Sequence, residues 1–198
     1  MTSAFKALDA LVVKDDFYPD PDAIRQIALT RAYEKPPANT PRLAVTSMCN
    51  EQESREMFER LSPYLENKQG NSVVAANIMF RYTLKNAQKK VFCHVDGCSG
   101  AGIVYLSLPQ NCAGGTTIYR HRETGDEIYN RANRHLYNFN DESQWEILRE
   151  VEMVYNRLVF YPGQLFHAIT PIFFGDSIEN ARLTQNVFIF RQNDRQLM

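Results

Sequence analysis

His94-Val95-Asp96, then His167 71 residues past the aspartate and Arg182 a further 15 residues on, are the residues whose types and spacing prescribe a chemistry. Two imidazoles and one carboxylate form a donor set that grips one face of a non-haem Fe(II) ion and leaves the opposite face open to co-ligands. A guanidinium downstream offers bidentate pairing to a carboxylate. A small acid could therefore chelate the metal at one end and be anchored at the other.

To meet, these groups must share a face. Alternate residues of a strand point the same way, so a strand over Val91 to Asp96 would send His94 and Asp96 to one side. His167 shares its parity with Leu165 and Ile169, and Arg182 shares its parity with Thr184. The pattern predicts an inward imidazole on one strand and a guanidinium beside a hydroxyl on another. Taken singly, each signal has a plainer reading. A His-x-Asp tripeptide is often a surface pair, a histidine in an apolar run is often a core residue bonded to backbone, and a strand arginine often sits in a surface salt bridge. Their order and common phase argue against coincidence. Cys93, His94, Asp96 and Cys98 are a rival zinc set, but the two cysteines differ in parity and would need a sharp bend after Asp96. His121 and His135 fall in a polar stretch and are expected to be solvated.

The elements around these residues change character along the chain. Leu11 to Phe17 reads as a short strand, and Asp20 with Pro21 as the cap and first turn of a helix that runs to about Tyr33. Three prolines within Lys35 to Pro41 mark an extended loop. Glu53 to Glu66 carries Met57, Phe58, Leu61 and Leu65 at helical spacing, with Pro63 expected to kink or end the helix. From Val73 onward seven runs read as strands: Asn77 to Leu84, Val91 to Asp96, Gly102 to Leu108, Thr116 to Arg120, Asn156 to Tyr161, Gln164 to Ile169 and Arg182 to Phe190. The stretch from Arg120 to Trp145 reads as a polar surface insertion, with Asp141 starting a helix through Trp145, Leu148 and Val151. The expectation is one domain over 1–198. Residues 1–72 would be a supporting strand and helices, and 73–190 the strand-rich core with its insertion at 120–150.

A chain of 198 residues, 44% hydrophobic, can bury a core of its own. Its 22 basic and 23 acidic side chains give a net charge of -1, so nothing in the bulk electrostatics recruits nucleic acid or an anionic membrane. A small molecule or a peptidyl side chain is the expected partner. Cys49, Cys93, Cys98 and Cys112 contain no CxxC pair and are expected to be reduced. With no basic, apolar leader and no run approaching about 20 apolar residues, the protein is expected to be cytoplasmic.

The text from Phe80-Arg81-Tyr82 through His94-Val95-Asp96, Val104-Tyr105-Leu106-Ser107, Gly114-Gly115-Thr116-Thr117-Ile118-Tyr119 and Asn156-Arg157-Leu158-Val159-Phe160, to His167 and Arg182-Leu183-Thr184, resembles the 2-oxoglutarate/Fe(II) oxygenase superfamily. The likeness is to its prolyl 4-hydroxylase-like branch and covers roughly residues 77 to 190. It implies a mainly β fold with flanking helices, a double-stranded β-helix (jelly-roll or cupin-like) barrel. It also implies iron held by His94, Asp96 and His167, and 2-oxoglutarate held by Arg182, Thr184 and Tyr82. With Fe(II), 2-oxoglutarate and O2 as cofactor and co-substrates, the implied activity is that of a hydroxylase-type dioxygenase. A carboxylate at Asp96 fills the position that halogenating relatives leave for chloride, so hydroxylation or desaturation is favoured over halogenation. Arginine stands where many prolyl 4-hydroxylases use lysine, and no peptidyl-proline groove is marked, so the substrate does not transfer with the likeness. Two rivals keep part of this pattern: a barrel that binds a metal or an oxo acid without turnover, and a cupin-like metal enzyme that uses no oxo acid.

Overall fold

The computed structural model describes residues 7–34, 45–65, 72–87 and 92–192. The proline-rich loop at 35–41 lies outside the described residues. A 3-10 turn, Ala7–Ala10, leads into β1 (Val12–Lys14) and then α1 (Pro21–Thr30). Asp20 accepts a hydrogen bond from the Ala23 N–H at 3.0 Å and Pro21 occupies the first turn, so the helix starts where expected and stops three residues early. β2 (Val45–Met48) precedes α2 (Glu51–Leu61). In a capping box, Asn50 accepts from the Glu53 N–H while the Glu53 carboxylate accepts from the Asn50 N–H. Pro63 then ends α2 in a 3-10 turn, Ser62–Tyr64.

Seven further strands follow: β3 (Val73–Thr83), β4 (Gly100–Tyr105), β5 (Gly115–His121), β6 (Trp145–Glu152), β7 (Leu158–Pro162), β8 (His167–Ile169) and β9 (Arg182–Arg191). They pair antiparallel in two sheets, ordered β1-β7-β4-β9-β3-β2 and β6-β5-β8. The result is a double-stranded β-helix, or jelly roll, mainly β with helices on one face. Parity divides each strand between two environments. On the large sheet, Ile78 and Phe80, Val104, Leu158, and Leu183 and Val187 face outward against Ile24 and Ala28 of α1 and Met57 and Leu61 of α2. Ala101, Ile103, Tyr105, Val159 and Tyr161 face inward, meeting Ile118 and Val151 of the small sheet. The site lies in this inner layer.

Four expectations are corrected. The run Val91 to Asp96 is not a strand over its described residues. His94 makes one isolated antiparallel bridge to His167, each N–H donating to the other carbonyl at 3.0 Å, and the chain then turns away. Asp141 caps only a 3-10 turn, Glu142–Gln144, and the residues expected to be helical form β6. Their three-residue spacing comes from a bulge at Leu148, which is unpaired between Arg149 opposite Ile118 and Ile147 opposite Tyr119. Trp145 consequently faces outward, whereas Leu148 and Val151 face the inner layer. The 120–145 stretch is not simply polar, since Tyr129, Tyr137 and Phe139 pack on Trp145 and Phe166 and cover the outer face of the small sheet. His121, expected in solvent, is fully buried under that cover, with ring centroids 5.1 Å from both Tyr137 and Trp145. His135 is exposed as expected.

Candidate functional site

His94, Asp96 and His167 come together although strand parity positions only His167. The bridge to His167 places His94. Asp96 is held by its backbone: its N–H donates to the Gly163 carbonyl at 2.7 Å, and its carbonyl accepts from the Gln164 amide at 2.9 Å. Gly163 is required for this approach, since a Cβ there would sit 2.2 Å from the Cys98 carbonyl oxygen. The turn that brings Asp96 to the histidines is therefore clamped against the turn between β7 and β8.

The three side chains offer one donor atom each, all within 4.8 Å of one another. His94 Nε2 lies 3.9 Å from one Asp96 carboxylate oxygen, and His167 Nε2 lies 3.3 Å from the other. His167 Nδ1 is 2.7 Å from the Leu165 carbonyl and must carry a proton to bond it, which orients the ring so that Nε2 is the atom facing the carboxylate. Burial pushes the Asp96 carboxyl up, but the hydrogen bond from His167 and the charges of His167, His94 and Arg81 hold it below the usual carboxylate range. The group is thus an anionic carboxylate between two imidazole nitrogens, a donor set suited to a divalent first-row metal.

A cavity of about 100 Å³ opens beside these donors. Arg182, 4% exposed, stands on its wall with Nε and Nη2 buried and without hydrogen-bond partners. Those two atoms form one edge of the guanidinium, the edge that pairs bidentately with a carboxylate. Its other contacts are with Tyr105, over whose ring it lies at 5.4 Å and whose side chain it hydrogen-bonds. Burial pulls the Arg182 pKa down from its ordinary value, and the neighbouring Tyr105 and Tyr161 partly oppose that. The arginine and the metal-type donors share one cavity, so an oxo acid spanning them fits the residues present.

Two residues expected on this wall are not there. Tyr82 shares parity with Phe80 and packs on the helical side, edge-on to Tyr33 at 4.8 Å. Thr184 lies on the inner face beside Arg182, but its hydroxyl donates to the Asn186 Oδ1 at 2.8 Å, so its proton is not available to a carboxylate. In their place the cavity presents Arg81, Tyr161, Asn186 and Phe188. Arg81 was legible in principle: alternation along Ile78, Phe80 and Tyr82 puts Arg81 on the opposite, inner face. Tyr161 is buried with its ring 4.6 Å from that of His167, and burial together with Asp96 raises its pKa well above the ordinary value, so it remains a neutral phenol.

Among solved structures, the chain shares its fold with several 2-oxoglutarate/Fe(II) oxygenases. It matches a Pseudomonas putida prolyl-4-hydroxylase with a TM-score of 0.60 at 13% identity, over 93% of this chain and 94% of that one. It matches HygX from Streptomyces hygroscopicus, crystallised with nickel and 2-oxoglutarate, with a TM-score of 0.62 at 11% identity over 93% and 84%. A Burkholderia pseudomallei oxidoreductase of the 2OG-Fe(II) oxygenase family gives 0.54 at 10% over 95% and 92%. No curated protein matches by sequence. A model described as a family of unknown function, DUF6445, matches residues 3–189.

Proposed function

The chain belongs to DUF6445, a family of unknown function, and we propose that it is an Fe(II)- and 2-oxoglutarate-dependent dioxygenase of the hydroxylase type. The observation that carries the reading is the meeting, in one cavity, of the His94, Asp96 and His167 donors with a buried guanidinium edge that has no partner. A purely structural arginine in the inner layer would be expected to find acceptors among its neighbours. A cupin-like site without an oxo acid leaves that edge unexplained.

His94, Asp96 and His167 would hold the metal, with His167 oriented by the Leu165 carbonyl and Asp96 by Gly163 and Gln164. Arg182 would take the distal carboxylate of 2-oxoglutarate through Nε and Nη2. Bound iron supplies the O2-dependent oxidation that is coupled to decarboxylation of 2-oxoglutarate to succinate. Ile103, Ile169 and Phe188 line the cavity with apolar surface that limits water. The Asp96 carboxylate occupies the position that a halogenating site would keep for chloride, which favours hydroxylation or desaturation. A small molecule or an amino-acid side chain is the substrate class this reading allows.

Anaerobic titration of the protein with Fe(II) and 2-oxoglutarate tests the reading. A visible metal-to-ligand charge-transfer band is expected, and its absence from folded, iron-loaded protein would sink the proposal. Slow O2-dependent loss of 2-oxoglutarate without substrate then separates an enzyme from a barrel that only binds the pair.

A further inference from the structure

Arg81 is a second guanidinium on the wall of the same cavity. It projects inward from β3, opposite Thr184 of β9 in the register, and is partly exposed where Arg182 is fully buried. No carboxylate among the described residues lies within ion-pair distance of it. Its charged neighbours are Arg182, which repels it, and Asp96, which attracts it. Of these only Asp96 balances it, and Asp96 is the carboxylate that a metal would engage.

On the reading above, the charges in the cavity can be matched one by one. A divalent metal, Asp96, the two carboxylates of 2-oxoglutarate and Arg182 neutralise one another. Arg81 is the cation left over. A half-buried guanidinium with no counter-ion of its own is costly, and the cost falls when an anion pairs with it. Asn186, on the same wall, uses its Oδ1 as acceptor for Thr184 and so has its amide N–H donors left for the cavity's occupant. We propose that Arg81, assisted by Asn186, reads a carboxylate on the primary substrate, so that the substrate is a small carboxylic acid. The inference rests on the proposed oxygenase function and narrows its substrate class. Arg81 is then a specificity residue that sets which molecule stands at the open side of the metal, and Arg182 serves the co-substrate alone.

The test uses full-length protein loaded with nickel(II), which binds without turnover, and saturated with 2-oxoglutarate. Matched acid and amide probes, butanoate with butanamide and benzoate with benzamide, are titrated calorimetrically into wild type, Arg81→Gln and Arg81→Lys. In wild type at least one acid is expected to bind about tenfold or more tighter than its amide. Arg81→Gln should erase that preference while leaving 2-oxoglutarate affinity within about threefold, and Arg81→Lys should restore part of it. Equal binding of acids and amides to wild type, or binding of neither, overturns the proposal, as does an acid that binds only by displacing 2-oxoglutarate. If Arg81→Gln loses 2-oxoglutarate as severely as Arg182→Gln, Arg81 is a co-substrate ligand; this inference falls and the oxygenase reading stands. Failure of wild type to bind 2-oxoglutarate at all overturns both, and that outcome is visible before any probe is added.

Discussion

Arg25 and Arg182 are both buried, at 6% and 4% exposure, on opposite sides of the large sheet, and they differ in what their guanidinium groups touch. Arg25, on α1, donates to the carbonyls of Leu106 and Glu179, each at 2.7 Å, and ties the helix to the strand ends beneath it. Arg182 has a buried edge that meets no acceptor. The histidines repeat the contrast across the small sheet. His167, on the inner side, points Nε2 at Asp96 and is anchored through Nδ1. His121, on the outer side, contacts Thr124 through Nδ1 and leaves Nε2 buried against aromatic rings. Burial alone therefore does not mark a site. What distinguishes the inner layer is donors and charges converging on shared space, whereas the outer layers either satisfy their polar groups with backbone or enclose them in rings.

The contrast is broken most severely at the inner carboxylate. Asp96→Ala leaves two imidazoles without the anion between them, and metal affinity should fall by more than about a hundredfold, beyond the range seen for residues that merely orient ligands. Competition with a chelating dye, following cobalt or nickel, measures this. Unchanged metal affinity would remove the inner layer's claim to be a metal site.

The arginine pair should respond in opposite ways. Arg182→Met removes a buried charge whose Nε–Nη2 edge lacks partners and whose protein contacts are limited to Tyr105, so stability should stay within about 1 kcal/mol of wild type or rise, while 2-oxoglutarate affinity falls by about a hundredfold. Arg25→Met leaves the Leu106 and Glu179 carbonyls without donors and should cost about 3 kcal/mol with no change in 2-oxoglutarate affinity. Denaturant melts and calorimetry on both variants decide the matter. A large stability loss from Arg182→Met would show that its partners are in the protein rather than in a ligand.

Gly163→Ala sharpens the point about what shapes the metal site. An added Cβ must push back the Cys98 carbonyl, and with it the turn that carries Asp96, whose N–H bonds Gly163 itself. Metal affinity should drop by about tenfold or more although no donor is altered. No helix among the described residues is long and apolar enough to cross a membrane.

The sequence was most informative where one element suffices. Asp20, Pro21 and the Ile24 and Ala28 stripe specify α1 locally, and alternation in β4, β5, β7 and β9 separates inner from outer residues without reference to any partner. His94, Asp96, His167 and Arg182 were readable as a set because their residue types already carry the chemistry. Other features were hidden because they depend on pairing. The bulge at Leu148 imitates a helical period, and nothing local reveals that β5 lies opposite it. Asp96 reaches the histidines through the Gly163 carbonyl, a contact across 67 residues of chain. Tyr82 was assigned to the cavity on its place in a familiar motif, although its own alternation with Phe80 puts it among the helices. The donation from Thr184 to Asn186 could not be read from parity, which gives a face but not the destination of a proton.

The smallest expected effect concerns His121, and it carries the sharpest control. Its ring lies edge-on to Tyr137 and Trp145, and its Nε2 already lacks a partner, so Phe in its place preserves the aromatic packing and removes a buried polar atom. The loss is at Nδ1, which contacts the Thr124 hydroxyl at 3.1 Å and accepts a long hydrogen bond from the Thr124 N–H at 3.4 Å, together worth about 1 kcal/mol. Removal of the unpaired nitrogen offsets that loss, so His121→Phe should unfold within about 1 kcal/mol of wild type and bind metal normally. His167→Phe, the same substitution one layer inward, should keep its fold and lose the metal. If instead His121→Phe also lowers metal affinity, the aromatic cover over residues 122–144 is coupled to the inner site through β5, and the two sides of the small sheet do not act independently.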